Sequence, residues 1–158
     1  MPKKTNFQTV LVSELALTGL TSHADAPRPL VLVVDDEHVI ADTLAAILAR
    51  NGISALVAYD GASALDMARL IPPDLLLSDV VMPGMSGVDL AIAILKTAPD
   101  CRIMMFSGQA ATVDLLGAAN YPGHDFTVLQ KPIHPTDLLA RIAETLETAP
   151  SQPLSIAM

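Results

Sequence analysis

Four short apolar runs of this 158-residue chain each end in residues whose types can do chemistry. Val31-Leu32-Val33-Val34 ends in Asp35 and Asp36, and Leu75-Leu76-Leu77-Ser78 ends in Asp79. Ile103-Met104-Met105-Phe106 ends in Ser107, and Val128-Leu129-Gln130 ends in Lys131-Pro132. Two carboxylates about 4 Å apart repel by roughly 4 kcal/mol at an effective dielectric of 20, so three acids gathered at one place need a cation. Carboxylate oxygens on a rigid edge suit Mg²⁺, which keeps several waters and bridges readily to phosphate oxygens. Lys131 adds a second positive charge and Ser107 a short hydroxyl. Such a set can accept a phosphoryl group: one carboxylate attacks in line while metal and lysine neutralise the equatorial oxygens. Asp79 is the best nucleophile, because the loop Val80-Val81-Met82-Pro83-Gly84 behind it carries no competing charge and Ser86-Gly87 then opens a helix.

These residues converge only if the runs are neighbouring parallel strands, whose carboxyl ends form the ligand edge of an open α/β sheet. The pattern predicts strands near 30–34, 54–58, 75–78, 102–106 and 126–130. Helical spacing falls between them: Ile40, Leu44, Ile47 and Leu48 up to Asn51-Gly52, then Ala64, Leu65 and Ala68 after Asp60-Gly61. A third helix carries Val88, Leu90, Ala91, Ile94 and Leu95 and stops before Pro99, and a fourth lies around Ala111 to Ala119. The last opens at Pro135-Thr136-Asp137 and carries Leu138, Leu139, Ile142 and Leu146. Continuous rather than alternating apolar runs mean strands buried on both faces, hence a parallel sheet with helices on either side. Three parts are expected: a leader over 1–28, closed by Ala26-Pro27-Arg28-Pro29 and holding at most a short helix; a domain over 29–148; and a tail over 149–158.

Composition narrows the function. Hydrophobic residues make up 51% of the chain and aromatics 3%, so the apolar content is almost all aliphatic, which fits α/β layering better than a stacking surface for bases. A formal charge of −8 argues against non-specific nucleic-acid binding, which needs Lys and Arg on phosphates. The lone Cys101 can form neither an internal disulfide nor a cysteine metal cluster, and fits a reducing compartment. No apolar stretch reaches the roughly 18 residues of a membrane span. Lys3 and Lys4 before Val10-Leu11-Val12 resemble the start of a secretion signal, but Glu14 breaks the apolar stretch, and a cytoplasmic protein is expected. His38, His124 and His134 show no ligand spacing, although His38 lies near the acidic pair. Met82, Met85, Met104 and Met105 read as packing residues.

Taken in order, Asp35-Asp36, Asp79 with Met82-Pro83-Gly84-Met85-Ser86-Gly87, Ser107 and Lys131-Pro132 resemble the receiver domain of two-component response regulators, over about Leu30 to Thr148. The resemblance implies a flavodoxin-like, doubly wound five-stranded sheet of order 2-1-3-4-5. It implies an aspartyl-phosphate at Asp79 and Mg²⁺ held by Asp36, Asp79 and the backbone carbonyl of Val81, with Asp35 assisting directly or through water. Ser107 would close on the phosphoryl group as the switch hydroxyl, Lys131 would pair with a phosphoryl oxygen, and the bond before Pro132 would be cis. The phosphoryl donor would be a sensor histidine kinase or phosphotransfer protein. Output would pass through contacts of the fourth helix, fifth strand and fifth helix with a downstream protein or a second copy, with no nucleic acid and no membrane.

Two departures from the family pattern stand out. Val128 occupies the place, three before the lysine, where an aromatic ring often reports phosphorylation; Phe126 shares its face by strand periodicity. Val81 and Gln109, two beyond Asp79 and Ser107, flank the phosphoryl position, and the apolar Val81 implies slow self-dephosphorylation. The sequence therefore reads as a stand-alone receiver whose only chemistry is Mg²⁺-dependent self-phosphorylation and self-dephosphorylation. A pseudo-receiver that binds partners without phosphorylation is one rival. The other, an aspartate-nucleophile phosphatase, typically needs a second acid where Val81 stands. Helix capping alone would explain one of the two acids Asp35 and Asp36, not both.

Overall fold

The computed structural model describes residues 28–108 and 126–147. The leader, the helix expected around Ala111 to Ala119, Gln109, His124 and the tail lie outside the described residues. The elements run β1 (Leu30–Val34), α1 (His38–Arg50), β2 (Ser54–Ala58), α2 (Gly61–Leu70), β3 (Leu75–Asp79), α3 (Gly87–Thr97), β4 (Arg102–Ser107), β5 (Phe126–Gln130) and α4 (Pro135–Glu147). The five strands form one sheet in the order β2-β1-β3-β4-β5, every pairing parallel. This is the expected flavodoxin-like arrangement.

Because successive side chains on a strand point to opposite faces, each apolar run supplies two cores. Leu32, Val34, Leu76, Ile103 and Met105 face Ala64 and Ala68 of α2 and Leu90, Ala91, Ile94 and Leu95 of α3. Val31, Val33, Leu75, Leu77, Met104, Phe106 and Leu129 face Ala41 and Leu48 of α1 and Leu138 and Ile142 of α4. Full burial of one such leucine contributes on the order of 2 kcal/mol, so the two layers hold the strand ends in a rigid line.

Local signals set where helices begin and end. Asp60 caps α2 by accepting from the Ser63 amide at 2.7 Å, and Ser86 caps α3 by accepting from the Asp89 amide at 3.1 Å. Helix α1 ends at Asn51, followed by Gly52 at φ +78°, a left-handed conformation that glycine adopts without a steric penalty. Helix α4 opens on Pro135, and the His134 ring accepts the Thr136 amide at 3.2 Å, a cap the sequence reading did not foresee. At the amino edge, the Asp74 carboxylate accepts the Leu30 amide at 2.7 Å and ties the start of β1 to that of β3.

Candidate functional site

Register places the acids side by side. Val34 pairs with Ser78, so Asp35 and Asp79 follow on adjacent strands, and Asp79 itself pairs with Phe106, one residue before Ser107. Carboxylate oxygens of Asp35, Asp36 and Asp79 lie within 4.8 Å of one another. The three differ sharply in setting. Asp35 is 1% exposed; Asp79 is partly buried at the end of β3; Asp36 is exposed to solvent.

Each buried oxygen is accounted for. Asp35 accepts the Glu37 amide at 3.0 Å through Oδ1, an Asx turn that starts the chain toward α1. Glu37, not Asp36, occupies the N-cap of α1, and it makes no side-chain cap hydrogen bond, so neither acid of the pair is spent on capping. Lys131 Nζ donates to Asp35 Oδ2 at 3.1 Å and to Asp79 Oδ2 at 3.3 Å. The lysine therefore lies between the two carboxylates, joining β5 to β1 and β3, rather than only facing them from across the site. Its own amide donates to the Ser107 carbonyl at 2.8 Å, and the Lys131–Pro132 bond is cis, as the resemblance implied.

The electrostatics follow from this packing. Burial pushes the Asp79 carboxyl above the usual carboxylate range; Lys131 draws it down and Asp35 raises it again. A simple ion pair would lower Asp79, so burial together with the neighbouring acid outweighs the lysine. Burial pulls the Lys131 ammonium down, but hydrogen bonding to Asp35 and the charges of Asp79 and Asp35 leave it raised. The site stabilises one cation firmly and has acid left for another. The donor set fits Mg²⁺: three clustered carboxylates, with exposed Asp36 leaving a side open for the waters this ion retains.

Comparison with known proteins agrees with this geometry. The model of the response regulator receiver domain matches residues 31–143. The chain belongs to that family. DNA-binding response regulator MtrA of Mycobacterium tuberculosis (strain ATCC 25618 / H37Rv) is 34% identical over 136 residues, covering 84% of this chain and 58% of the relative. The chain thus spans somewhat over half the length of that relative. A CheY-like receiver domain protein from Methanospirillum hungatei JF-1 superposes with a TM-score of 0.66 at 30% identity, covering 76% of this chain and 94% of that one. The signal receiver domain of an HD domain-containing protein from Pseudomonas fluorescens Pf-5 gives a TM-score of 0.69 at 26% identity, covering 77% and 96%.

Other parts of this receiver separate support from chemistry. Ser107 is buried at the end of β4, beside the strand that carries Asp79. The Val81 backbone amide lies near enough to draw the Asp79 carboxyl down slightly, and the Val81 residue is 63% exposed. Phe126 and Val128 share a face, as periodicity required, and both pack against the core under α2 and α3. Cys101 is buried, and burial lifts its thiol to about 12, which makes it a packing residue. Among the described residues, no helix is long and apolar enough to cross a membrane.

Sequence reasoning missed Tyr59, the residue after β2. Its ring stacks on His38 with centroids 3.7 Å apart, and its hydroxyl donates to Asp42 at 2.7 Å. The strand-end rule that found the other residues would have found this one too. Gly87 was read as a helix start, but not why it is glycine: a Cβ there would run into the Asp79 backbone carbonyl, and the close approach lets the Gly87 amide donate to the Val80 carbonyl at 2.9 Å.

Proposed function

We propose that residues 29–148 form a phosphoryl-accepting receiver that takes its phosphoryl group on Asp79 from a sensor histidine kinase or a phosphotransfer protein. The observation that carries this is Lys131 Nζ held between Asp35 and Asp79 with Asp36 alongside: one fixed cation among three acids, with acid left to hold the Mg²⁺ that an incoming phosphoryl group needs beside it. Asp36, Asp79 and the Val81 carbonyl would hold Mg²⁺, with Asp35 assisting directly or through water. When bound, the ion neutralises charge on the transferring oxygens.

In the transfer, an Asp79 oxygen forms a bond to phosphorus as the phosphorus–nitrogen bond of the donor histidine breaks. The freed imidazole takes its proton from water. Lys131 then exchanges its contact with Asp79 for one with a phosphoryl oxygen while keeping Asp35. Ser107 lies beside the Asp79 strand end and supplies a hydroxyl to the same group. These changes shift a two-state equilibrium that is read by a downstream protein or a second copy of the chain in the cytoplasm. The DNA binding in the names of the longer relatives belongs to those proteins.

Val128, an aliphatic residue packed into the core, favours a second reading in which the domain binds partners without phosphorylation. One experiment separates the two. The protein is incubated with Mg²⁺ and acetyl phosphate, then weighed intact. The receiver reading requires an adduct of one phosphoryl group that Asp79→Asn and Mg²⁺ chelation both abolish; absence of any adduct favours the second reading.

A further inference from the structure

Gly61 opens α2 without any conformational need for glycine. Among the described residues only Gly52 and Gly84 have positive φ, and helix propensity favours alanine at the first position of a helix. What the position requires is space. A Cβ on Gly61 would lie 2.7 Å from the Cβ of Met85 and 3.0 Å from its Cγ and Sδ. The Met85 Cβ cannot swing aside, because it moves only with its backbone.

Met85 belongs to the loop that leads from Asp79 to α3. That loop is pinned at its base, where the Val80 amide donates to the Phe106 carbonyl at 3.0 Å and the Gly87 amide to the Val80 carbonyl at 2.9 Å. Val81 follows the first of these anchors in the chain. Helix α2 is held by buried Ala64 and Ala68 and by the Asp60 cap, so a collision at Gly61 falls on the loop rather than the helix.

We propose that Gly61 is a positioning residue: by admitting Met85 against the start of α2, it sets the place of the loop that carries Val81, two residues beyond Asp79, and with it the affinity of the acidic site for Mg²⁺. The proposal rests on the Mg²⁺ reading above. Mg²⁺ binding is measured by calorimetry on the full chain for wild type, Gly61→Ala, Met85→Gly, the double variant, and Asp36→Asn as a test of the metal reading. Gly61→Ala weakens binding about tenfold in the presence of Met85, the range seen when groups that orient metal ligands are changed. Added to Met85→Gly, the same substitution changes affinity less than twofold. Unaltered affinity in Gly61→Ala, or an equal loss in both backgrounds, overturns the proposal. A purely structural role would lower the urea midpoint and leave affinity in place.

If wild type takes up no Mg²⁺, the metal reading fails, and Gly61 is then judged on hydrogen exchange of the Val81 amide, which lies beside the Asp79 carboxylate. Faster exchange in Gly61→Ala that disappears in the Met85→Gly background retains its positioning role. Unchanged exchange removes it.

Discussion

Replacing Lys131 with methionine tests the electrostatic account of the site most directly. The substitution keeps most of the side-chain volume and removes contacts of 3.1 and 3.3 Å to two carboxylates. At an effective dielectric of 20, each contact corresponds to about 5 kcal/mol of gross Coulomb attraction. Most of that is offset by the cost of desolvating the lysine and ordering its long side chain, and by water reaching the open side of the site. What remains is an acidic pair with no cation: Asp35, almost wholly buried, beside Asp79 within 4.8 Å. The expected loss is about 3 kcal/mol at pH 7 without Mg²⁺, the scale for breaking a buried ion pair on one side.

The pH dependence has a definite sign. The folded Asp79 carboxyl is raised, so it takes up a proton at a higher pH than in the unfolded chain. As pH falls from 7, the Lys131–Asp79 attraction ends and the deficit of Lys131→Met shrinks. The folded Lys131 is raised above 10.5, so its contribution in wild type is complete below that pH and is lost as pH rises through the folded value. Mg²⁺ should stabilise the variant more than wild type, because the ion takes the missing charge's place without competing with the lysine. A ligand at a hundred times its Kd adds about 2.7 kcal/mol. The assay is urea unfolding followed by far-ultraviolet circular dichroism at pH 7 and pH 4.5, with and without Mg²⁺. A deficit below about 0.5 kcal/mol at pH 7, the range of an exposed pair, would refute the reasoning, as would a deficit that does not shrink at the lower pH, since protonation of Asp79 must remove its share.

Gly87→Ala should destabilise the fold by about 2 kcal/mol or more, because its methyl group meets the Asp79 carbonyl and Ser78 Oγ; unfolding midpoints check this. The Cys101 thiol, at about 12 and buried, should react with a disulfide reagent only as fast as the domain opens, so reactivity at pH 8 should rise with urea. Once phosphorylated, Val81→Asn should lose phosphate faster than wild type, because an amide can orient an attacking water where the exposed valine cannot; equal lifetimes in a phosphate-release assay would remove Val81 from the account.

Element boundaries were legible to within a residue or two, because continuous apolar runs, capping residues and turn glycines are local signals. The expected strands at 54–58 and 126–130 match β2 and β5, and α2 and α3 begin right after Asp60 and Ser86 as read. The strand-end rule also picked out the acids and the lysine. It did not reach contacts between a loop and a helix start, such as Met85 on Gly61, whose partners share no periodicity.

The chemistry of the edge was already written in residue order: which groups end strands, that three are acidic, and that one lysine must answer them. Tertiary structure alone decided how the charge is shared. Asp35 and Lys131 are 96 positions apart and meet because β1 and β3 are neighbours with β5 two strands beyond β1's partner. Burial then separated Asp35 from Asp36, adjacent residues of the same type, since the chain turns between them and leaves one under the lysine and the other in solvent. Local pattern reports which side chain is present and roughly where a strand ends. Distance and desolvation, which set the strength of every charge here, depend on the packing of the whole sheet.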